Sequence, residues 1–222
     1  MAAVARGRFI TFEGIEGAGK STQLERLLHR FAGKGPEVVV TREPGGTALG
    51  ERLRGLLLDP SIGTMAAETE LLLIFAARAE HLRRCIEPAL ARGAWVFCDR
   101  FTDASFAYQG AGRGLGPDRV AALEEWLQGD LRPDLVFLFD VPARLGLKRA
   151  LSRGKRDRME SEDLAFFERA RAAYLERARG RPNRYRVIDG SLDVDSVAAA
   201  VDAAWSGWLA AADQGPAPGG EG

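Results

Sequence analysis

The stretch GIEGAGKS at residues 14–21 decides the fold of this chain, because it is a complete G-x-x-x-x-G-K-[ST] phosphate-binding loop. An apolar run, FITF at residues 9–12, precedes it and predicts a β-strand, while a helical pattern follows it. In that context the N–H groups of the helix N-terminus face phosphate oxygens. The stretch therefore predicts a binding site for a nucleoside triphosphate.

The residues of this loop have separate predicted tasks. The glycines allow positive φ angles and a close approach of the backbone to phosphate oxygens. Lys20 neutralises charge on the β- and γ-phosphates, and the hydroxyl of Ser21 binds Mg²⁺. We expect the whole loop and the residue after it to contact the nucleotide, namely Gly14, Ile15, Glu16, Gly17, Ala18, Gly19, Lys20, Ser21 and Thr22.

Length and charge limit the class of protein. The chain has 222 residues, 46% of them hydrophobic and 28% charged, and its 31 basic residues equal its 31 acidic residues. This composition predicts one globular domain over residues 1–213, followed by a glycine- and proline-rich tail at 214–222 that we expect to be disordered. The charge balance argues against a broad nucleic-acid footprint, so nucleic acid is not an expected partner.

Three further features favour a cytoplasmic protein. The N-terminus is too short and wrongly ordered for a signal peptide, and no stretch approaches the roughly 20 apolar residues that span a bilayer. Cys85 and Cys98 both lie in apolar stretches, which predicts two buried thiols rather than a disulfide. Their positions give no metal-ligand spacing.

Apolar runs that alternate with helical patterns predict an α/β fold. Helices between runs of β-type composition imply a parallel sheet. We therefore expect a three-layer P-loop NTPase fold with a five-stranded parallel sheet flanked by helices. The long helical pattern at residues 66–91 contains the apolar segment LLLIFAA and should be buried or lie at a subunit interface. The predicted strands cover residues 8–12, 37–41, 94–98, 135–139 and 185–188.

Charged residues follow two of the predicted strands. In a doubly wound sheet, ligands gather beyond the C-terminal ends of the strands. Arg42 lies in TREPGGT at residues 41–47, and Asp99 and Arg100 follow the third strand. Asp99 is expected in the Mg²⁺ shell, and the two arginines beside a phosphate loop suit a second phosphate. Either arginine taken alone would more often form a surface ion pair, but the two together beside a phosphate loop favour a ligand site.

A further basic cluster, RALSRGKRDR at residues 149–158, lies between two helical patterns. It predicts either a short mobile lid, over about residues 149–160, or a solvated basic loop. A lid would deliver guanidinium groups to a transferring phosphoryl group and exclude water.

These motifs in this order resemble those of the thymidylate kinase family. The resemblance runs from about residue 9 to residue 179, and it implies transfer of the γ-phosphoryl group of ATP to dTMP, with Mg²⁺, giving dTDP and ADP. A related monophosphate or deoxynucleoside kinase and a nucleotide-dependent switch remain as alternatives. The resemblance is carried by FEGIEGAGKSTQ at 12–23, TREPGGT at 41–47, LLLIFAAR at 71–78, DRFTDASFAYQGAGRG at 99–114 and RALSRGKRDRME at 149–160.

The resemblance also implies how the dTMP phosphate and sugar are held. Arg42 and Arg100 match the residues that hold the phosphate. Glu16 matches the carboxylate that meets the 3′-hydroxyl, and Tyr108 would crowd a 2′-hydroxyl. A preference for deoxyribose is the resulting hypothesis.

Thymine recognition is implied for another group of residues. Phe75 matches the residue that stacks on the base, and Arg78, three positions later on the same helix face, matches the one that hydrogen-bonds it. On pattern alone Phe75 could be a core residue, and Pro44, near the ring, could simply shape its turn. Ser105 and Gln109 resemble residues lining the base and sugar.

Catalysis is expected to depend on positioning and charge rather than on a general base. The two histidines, His29 and His81, lie in helical patterns and are expected to be surface or partly buried structural residues. Gly17 stands where one class of the family has a loop arginine, so this chain resembles the bacterial class with its arginine in the lid.

Three residues are expected to act on the transferring phosphoryl group, namely Lys20, Arg100 and Arg153. The other lid arginines, at 149, 156 and 158, could instead contact adenine, pair with Glu160 or Asp163, or face solvent. Main-chain atoms around residues 189–191 are expected near adenine. The apolar helix around residues 71–86 resembles the one through which relatives form homodimers.

Overall fold

The computed structural model describes residues 5–31, 35–152 and 157–213. Its centre is a parallel sheet with strand order β2-β3-β1-β4-β5, so the predicted five-stranded sheet flanked by helices is confirmed. All five strands end one residue later than the sequence pattern predicted, and the first three also begin one residue later. The strands are β1 (Phe9–Glu13), β2 (Val38–Arg42), β3 (Trp95–Asp99), β4 (Leu135–Asp140) and β5 (Tyr185–Asp189).

Helices connect and cover the strands. The long predicted helix is observed as α3 and α4 joined by a π-helical turn, Leu82–Ile86, and a second π-helical turn, Phe106–Gly112, follows α5. The α-helices are α1 (Lys20–Leu28), α2 (Ala48–Leu58), α3 (Ala67–His81), α4 (Glu87–Ala91), α5 (Thr102–Ser105), α6 (Pro117–Gln128), α7 (Ala143–Leu151), α8 (Leu164–Arg179) and α9 (Val194–Asp213).

Alternation along the central strands builds the core on both faces of the sheet. Phe9 and Val96 are paired neighbours and pack in one buried cluster with the helical residues around α4. Ile10 and Phe97, one residue further along, pack in the larger cluster that includes residues of α1, α8 and α9. Successive side chains point to opposite faces of the sheet, and both faces are buried. The central strands therefore consist of continuous apolar runs.

Strand register brings the predicted site residues to one edge of the sheet. Phe12 of β1 pairs with Asp99 of β3, and Asp99 also pairs with Arg42 of β2. The phosphate loop, which starts at Gly14 directly after β1, therefore lies beside the ends of β2 and β3. This is the carboxyl edge at which doubly wound folds bind ligands.

The structure also shows the environments of the two cysteines and the two histidines. Both cysteines are free thiols, Cys98 is buried and His29 is exposed, as expected, but Cys85 is only partly buried, contrary to the prediction. The expectation for His81 was wrong, because this side chain is completely buried against the segment that follows β2. Among the described residues, no helix is long and apolar enough to cross a membrane. The predicted tail at 214–222 lies outside the described residues.

Candidate active site

The phosphate loop ends at the first turn of α1, as the sequence predicted. Gly19, with φ of 91°, precedes Lys20, the first residue of the helix. The Lys20 ammonium donates to the backbone oxygens of Gly14 and Ile15, both at 2.9 Å, and so folds back over the loop. Burial lowers the pKa of Lys20 to about 8. A phosphate bound in the loop would raise the pKa of Lys20 again and so favour the charged ammonium.

Gly17 has no room for a side chain. Its φ is +71°, and a Cβ at this position would lie 2.0 Å from the backbone oxygen of Gly146 in α7. The close packing of the loop against α7 therefore excludes an arginine at position 17 in this conformation. Any arginine that acts on the γ-phosphate has to come from another segment.

Ser21 and Asp99 form a pair suited to Mg²⁺. The Ser21 hydroxyl donates to Oδ2 of Asp99 at 2.9 Å. Within the described residues, Oδ1 of Asp99 is buried without a hydrogen-bond partner. An orphaned carboxylate oxygen beside a hydroxyl matches the oxygen ligands of Mg²⁺, which is usually bound by one or two protein groups together with phosphates and water. These two residues fit the ion that the sequence predicts.

A cavity of about 260 Å³ opens beside the loop. The loop and Lys20 lie at one end, the segment after β2 and helix α2 form a wall, and α3 and the second π-helical turn form the far end. Most predicted acceptor-site residues line it, and these are Glu16, Arg42, Pro44, Arg78, Arg100, Ser105, Tyr108 and Gln109.

Three arginines give this cavity a positive region near the phosphate loop. Arg42 donates to Glu51 at 2.9 Å, and Arg54 of α2 donates to the backbone oxygen of Pro44 at 3.0 Å. Burial lowers the pKa of Arg54, and the charges of Arg42 and Arg100 lower it further. Like charges held this close favour an anionic ligand between them.

Arg100 is held in an unusual backbone conformation. Its φ is +68°, and it is the one non-glycine residue with positive φ in the part of the chain that the structure describes. The buried carboxyl group of Glu13 accepts a hydrogen bond at Oε1 from the next backbone N–H, that of Phe101, at 2.7 Å. Such strain persists only where the surroundings fix it, and it is typical of functional sites.

The side chain of Arg100 lies between Glu16 of the phosphate loop and Tyr108 of the second π-helical turn. It donates to Oε1 of Glu16 at 2.7 Å and to the Tyr108 hydroxyl at 3.1 Å. Tyr108 in turn donates to Oε2 of Glu16 at 2.5 Å. Burial raises the pKa of Tyr108 well above its usual range, so the phenol stays neutral. The sequence prediction that these residues lie together is therefore matched by the geometry.

Arg78 lies at the far end of the cavity, where it is 1% exposed. Its Nε donates to Glu43 at 2.7 Å and its Nη2 to the Ser105 hydroxyl at 3.0 Å. Among the described residues, its Nη1 is buried and has no partner. A buried donor without an acceptor is costly, and a ligand oxygen in the cavity would supply the missing acceptor.

The structure puts Phe75 somewhere other than the sequence prediction suggested. Phe75 is 4% exposed and packs with Leu71, Phe106 and Val120, and it is not among the residues that line the cavity. Ile74 lines the cavity instead. One residue along a helix turns the side chain by about 100°, so an apolar run of seven residues did not show which member faces the ligand.

The lid arginines separate into different environments. Arg149 donates to the backbone oxygens of Gly190 and Ser191, next to the predicted adenine segment. Arg158 is buried and donates to Leu57 and Glu70, which was not among the roles considered from the sequence. Arg153, the predicted catalytic arginine, lies outside the described residues, as does residue 156.

Sequence reasoning missed several residues that line the cavity, and three of them are polar or apolar groups next to predicted site residues. Arg54 and Ile74 line the cavity, and Glu43 holds Arg78. Arg54 follows Glu51 by three positions in the helix after TREPGGT, and this spacing on one face was a usable signal. Nothing in the sequence pattern indicated that Glu43 would be buried rather than exposed.

Comparisons with known proteins identify a family model and close relatives in sequence. A thymidylate kinase family model matches residues 12–201. A thymidylate kinase of Pseudomonas putida (strain W619) is 58% identical over 201 residues, which is 90% of this chain and 97% of the relative. A thymidylate kinase of Ectopseudomonas mendocina (strain ymp) is 58% identical over 197 residues, covering 89% of this chain and 94% of the relative.

A solved structure gives the same result. The crystal structure of thymidylate kinase from Ehrlichia chaffeensis superposes with a TM-score of 0.73 at 34% sequence identity and covers 90% of this chain and 99% of its own. A likeness of this extent in sequence and in structure leaves one assignment: the chain belongs to the thymidylate kinase family.

Proposed function

We propose that the cavity beside the phosphate loop is the dTMP site, with the base at Arg78 and the phosphate at the three arginines. Family membership gives the reaction: the chain transfers the γ-phosphoryl group of ATP to dTMP, giving dTDP and ADP. The other kinases and the switch considered from the sequence are not favoured. The observation that carries the proposed orientation is the unpartnered Nη1 of Arg78 at the far end of the cavity.

The base end of the cavity suits thymine. Arg78 offers a donor to a carbonyl oxygen of the ring, and Gln109 and Ser105 line the same region. Ile74, with Phe75 packed behind it, supplies an apolar wall, and Pro44 lies on another side. A cytosine ring would present an amino group where thymine presents a carbonyl, which sets donor against donor at Arg78.

The phosphate of dTMP would be held by Arg42, Arg54 and Arg100. Guanidinium groups make paired hydrogen bonds to phosphate oxygens. Burial, followed by the charges of Arg42 and Arg100, lowers the pKa of Arg54, so an anionic ligand would stabilise its charged form. Glu51 and Glu16 pair with two of these arginines in the described structure. We expect phosphate to compete with Glu51 for Arg42, while Glu16 stays with Arg100 beside the sugar.

The ATP side of the site requires positive charge for the phosphates and two oxygen ligands for the metal ion. The loop backbone and Lys20 would hold the phosphates of ATP, with Ser21 and Asp99 as protein ligands of Mg²⁺. The ion, when bound, offsets charge on the transferring phosphate oxygens. Arg153 of the lid is proposed to add a guanidinium to the same oxygens.

No strong base is required of the protein. A phosphate monoester has its second pKa near about 6, so the acceptor oxygen of dTMP is already anionic at neutral pH. The described side chains then contribute by orienting the two phosphates and by stabilising charge.

We also propose that the chain forms a homodimer through α3. The outer side of this helix presents Leu72, which is 58% exposed, together with the exposed Thr69 and Ala76. These positions are spaced by three and four residues, so they form one face. Sedimentation of the wild type and of Leu72→Glu tests the proposal, since a monomeric wild type would contradict it.

The experiment for the acceptor orientation compares wild type with Arg78→Gln. If Arg78 reads thymine, KM for dTMP should rise about tenfold or more while KM for ATP stays unchanged, because only one substrate loses a charge-assisted hydrogen bond. Arg84→Gln, an exposed arginine in the first π-helical turn, is a matched control. An unchanged KM for dTMP would contradict the proposed orientation.

A further inference from the structure

A buried histidine lies behind the arginine of the proposed base site. Nδ1 of His81, at the C-terminal end of α3, lies 2.9 Å from Oε1 of Glu43. The other oxygen of that carboxylate accepts from Nε of Arg78 at 2.7 Å. Glu43 thus bridges His81 and Arg78, and none of the three side chains is more than 3% exposed.

The second ring nitrogen of His81 fixes the ring against β2. Nε2 lies 2.7 Å from the Thr41 hydroxyl oxygen. Gly46 packs so closely on the ring that a Cβ there would lie 2.5 Å from Nε2. His81 therefore ties α3 to the segment that carries Arg42 and Pro44 into the cavity.

The charges in this cluster are balanced around Glu43. Burial raises the pKa of Glu43, but the charge of Arg78 and the contacts with His81 outweigh it and hold this pKa below its usual value. Burial lowers the pKa of His81, but its hydrogen bonds to Cys85 and Glu43 outweigh this and raise it to about 9. At neutral pH the imidazolium donates from both nitrogens, so each oxygen of Glu43 has a charged donor.

We propose that His81 is a positioning residue for thymine recognition, which through Glu43 holds the Arg78 guanidinium in the orientation that reads the base. Without the donor from His81, one buried oxygen of Glu43 loses its partner. The carboxylate would then turn toward a second nitrogen of Arg78 and compete with Ser105 and the base for it. The proposal rests on the proposed function of Arg78.

Two substitutions separate a hydrogen-bonding role from a packing role. His81→Leu fills similar space but donates to neither Glu43 nor Thr41, whereas His81→Asn places its amide nitrogen near the position of Nδ1 and can still donate to Glu43. We expect His81→Leu to raise KM for dTMP about tenfold, the scale of a charge-assisted hydrogen bond, and His81→Asn to retain most of the affinity. KM for ATP should not change, and His29→Leu, at an exposed position, is the control.

Acceptor selectivity is a ratio of two kcat/KM values, so a smaller amount of folded protein would not change it. The ratio of kcat/KM for dTMP to that for dCMP should fall in His81→Leu, because only the base contact is disturbed. A His81→Leu enzyme that matches His81→Asn, or that loses activity on both acceptors equally, would overturn the proposal. Should His81→Leu fail to fold, Glu43→Gln gives the same test, and an unchanged ratio there would overturn the proposal as well.

A double substitution distinguishes this proposal from the proposed function. If His81 acts through Arg78, adding His81→Leu to Arg78→Gln should cause no further rise in KM for dTMP. If Arg78→Gln itself leaves KM unchanged, the base site is wrong. If Arg78→Gln raises KM but His81→Leu does not, the base site stands and the role of His81 is refuted.

Discussion

The Tyr108 hydroxyl donates to Oε2 of Glu16 at 2.5 Å, so a residue of the phosphate loop and a residue of the second π-helical turn meet at one wall of the cavity. Arg100 donates to both of them. A carboxylate beside a phosphate site is thereby neutralised before any ligand arrives. Glu16 keeps acceptor capacity, which supports the proposal that it binds a sugar hydroxyl of dTMP.

Tyr108 should set the preference for deoxyribose. Its ring lies among Phe166, Phe167 and Tyr174, which leaves it little freedom to move away from a 2′-hydroxyl. We expect Tyr108→Ala to reduce about tenfold the ratio of kcat/KM for dTMP to that for its ribose counterpart. Tyr108→Phe keeps the ring and should keep most of the ratio. An unaltered ratio in both variants would refute the hypothesis.

Arg54 should contribute to holding the acceptor phosphate. Arg54→Ala is expected to raise KM for dTMP about tenfold at low salt, because it removes one of three guanidinium groups, with a smaller effect as ionic strength rises. Arg52→Ala, an exposed position on the same helix, is the matched control. Equal effects of the two substitutions would show that Arg54 acts only through net charge.

Glu13 should make the stability of the protein depend on pH. Burial, together with the nearby charge of Asp103, raises the pKa of Glu13 to about 8, so the native state keeps a proton that the unfolded state releases near 4.5. The native state then binds more protons between these values, and stability falls as pH rises through this window.

Denaturant unfolding of wild type and Glu13→Gln from pH 4.5 to 9 checks this. The free energy of unfolding of the wild type should fall relative to that of the variant, by at most about 1.4 kcal/mol per pH unit. Glu25→Gln, an exposed position in α1, should leave the wild-type dependence intact. Parallel curves for wild type and Glu13→Gln would contradict the raised pKa.

Arg153 should act on the rate of transfer rather than on substrate binding. Because Gly17 has no space for a side chain, a loop arginine cannot supply the charge. We expect Arg153→Ala to lower kcat by about 10³ or more, the scale of an arginine supplied in cis, with little change in either KM. Arg144→Ala, exposed on α7, is the control. An intact kcat would move the role to another arginine.

The sequence predicted the parts of this protein that depend on local pattern. The phosphate loop, five apolar runs and the charged strand ends are short-range features, and parallel topology alone brings Arg42, Asp99 and the loop to one edge. It could not predict roles set by packing between distant segments. The burial of His81, and the choice of Ile74 rather than Phe75 as a cavity residue, depend on how α3 is rotated against its neighbours.

Arg158 illustrates the same limit. It lies in a basic run that reads as solvated or catalytic, yet it is buried because Glu70, 88 residues away in the chain, accepts its guanidinium at 2.6 Å. No local spacing encodes such a partner. A carboxylate within an apolar helix was the available hint, since buried carboxylates need donors.

The most direct test is ADP formation from ATP and Mg²⁺ with dTMP, dUMP, dCMP, dGMP, AMP and thymidine offered separately as acceptors. We predict the highest kcat/KM with dTMP. Turnover should be low with dCMP, because Arg78 would face an amino group, and low with thymidine, because the three arginines would lack a phosphate. Comparable turnover with dCMP or with unphosphorylated thymidine would contradict the proposed acceptor site.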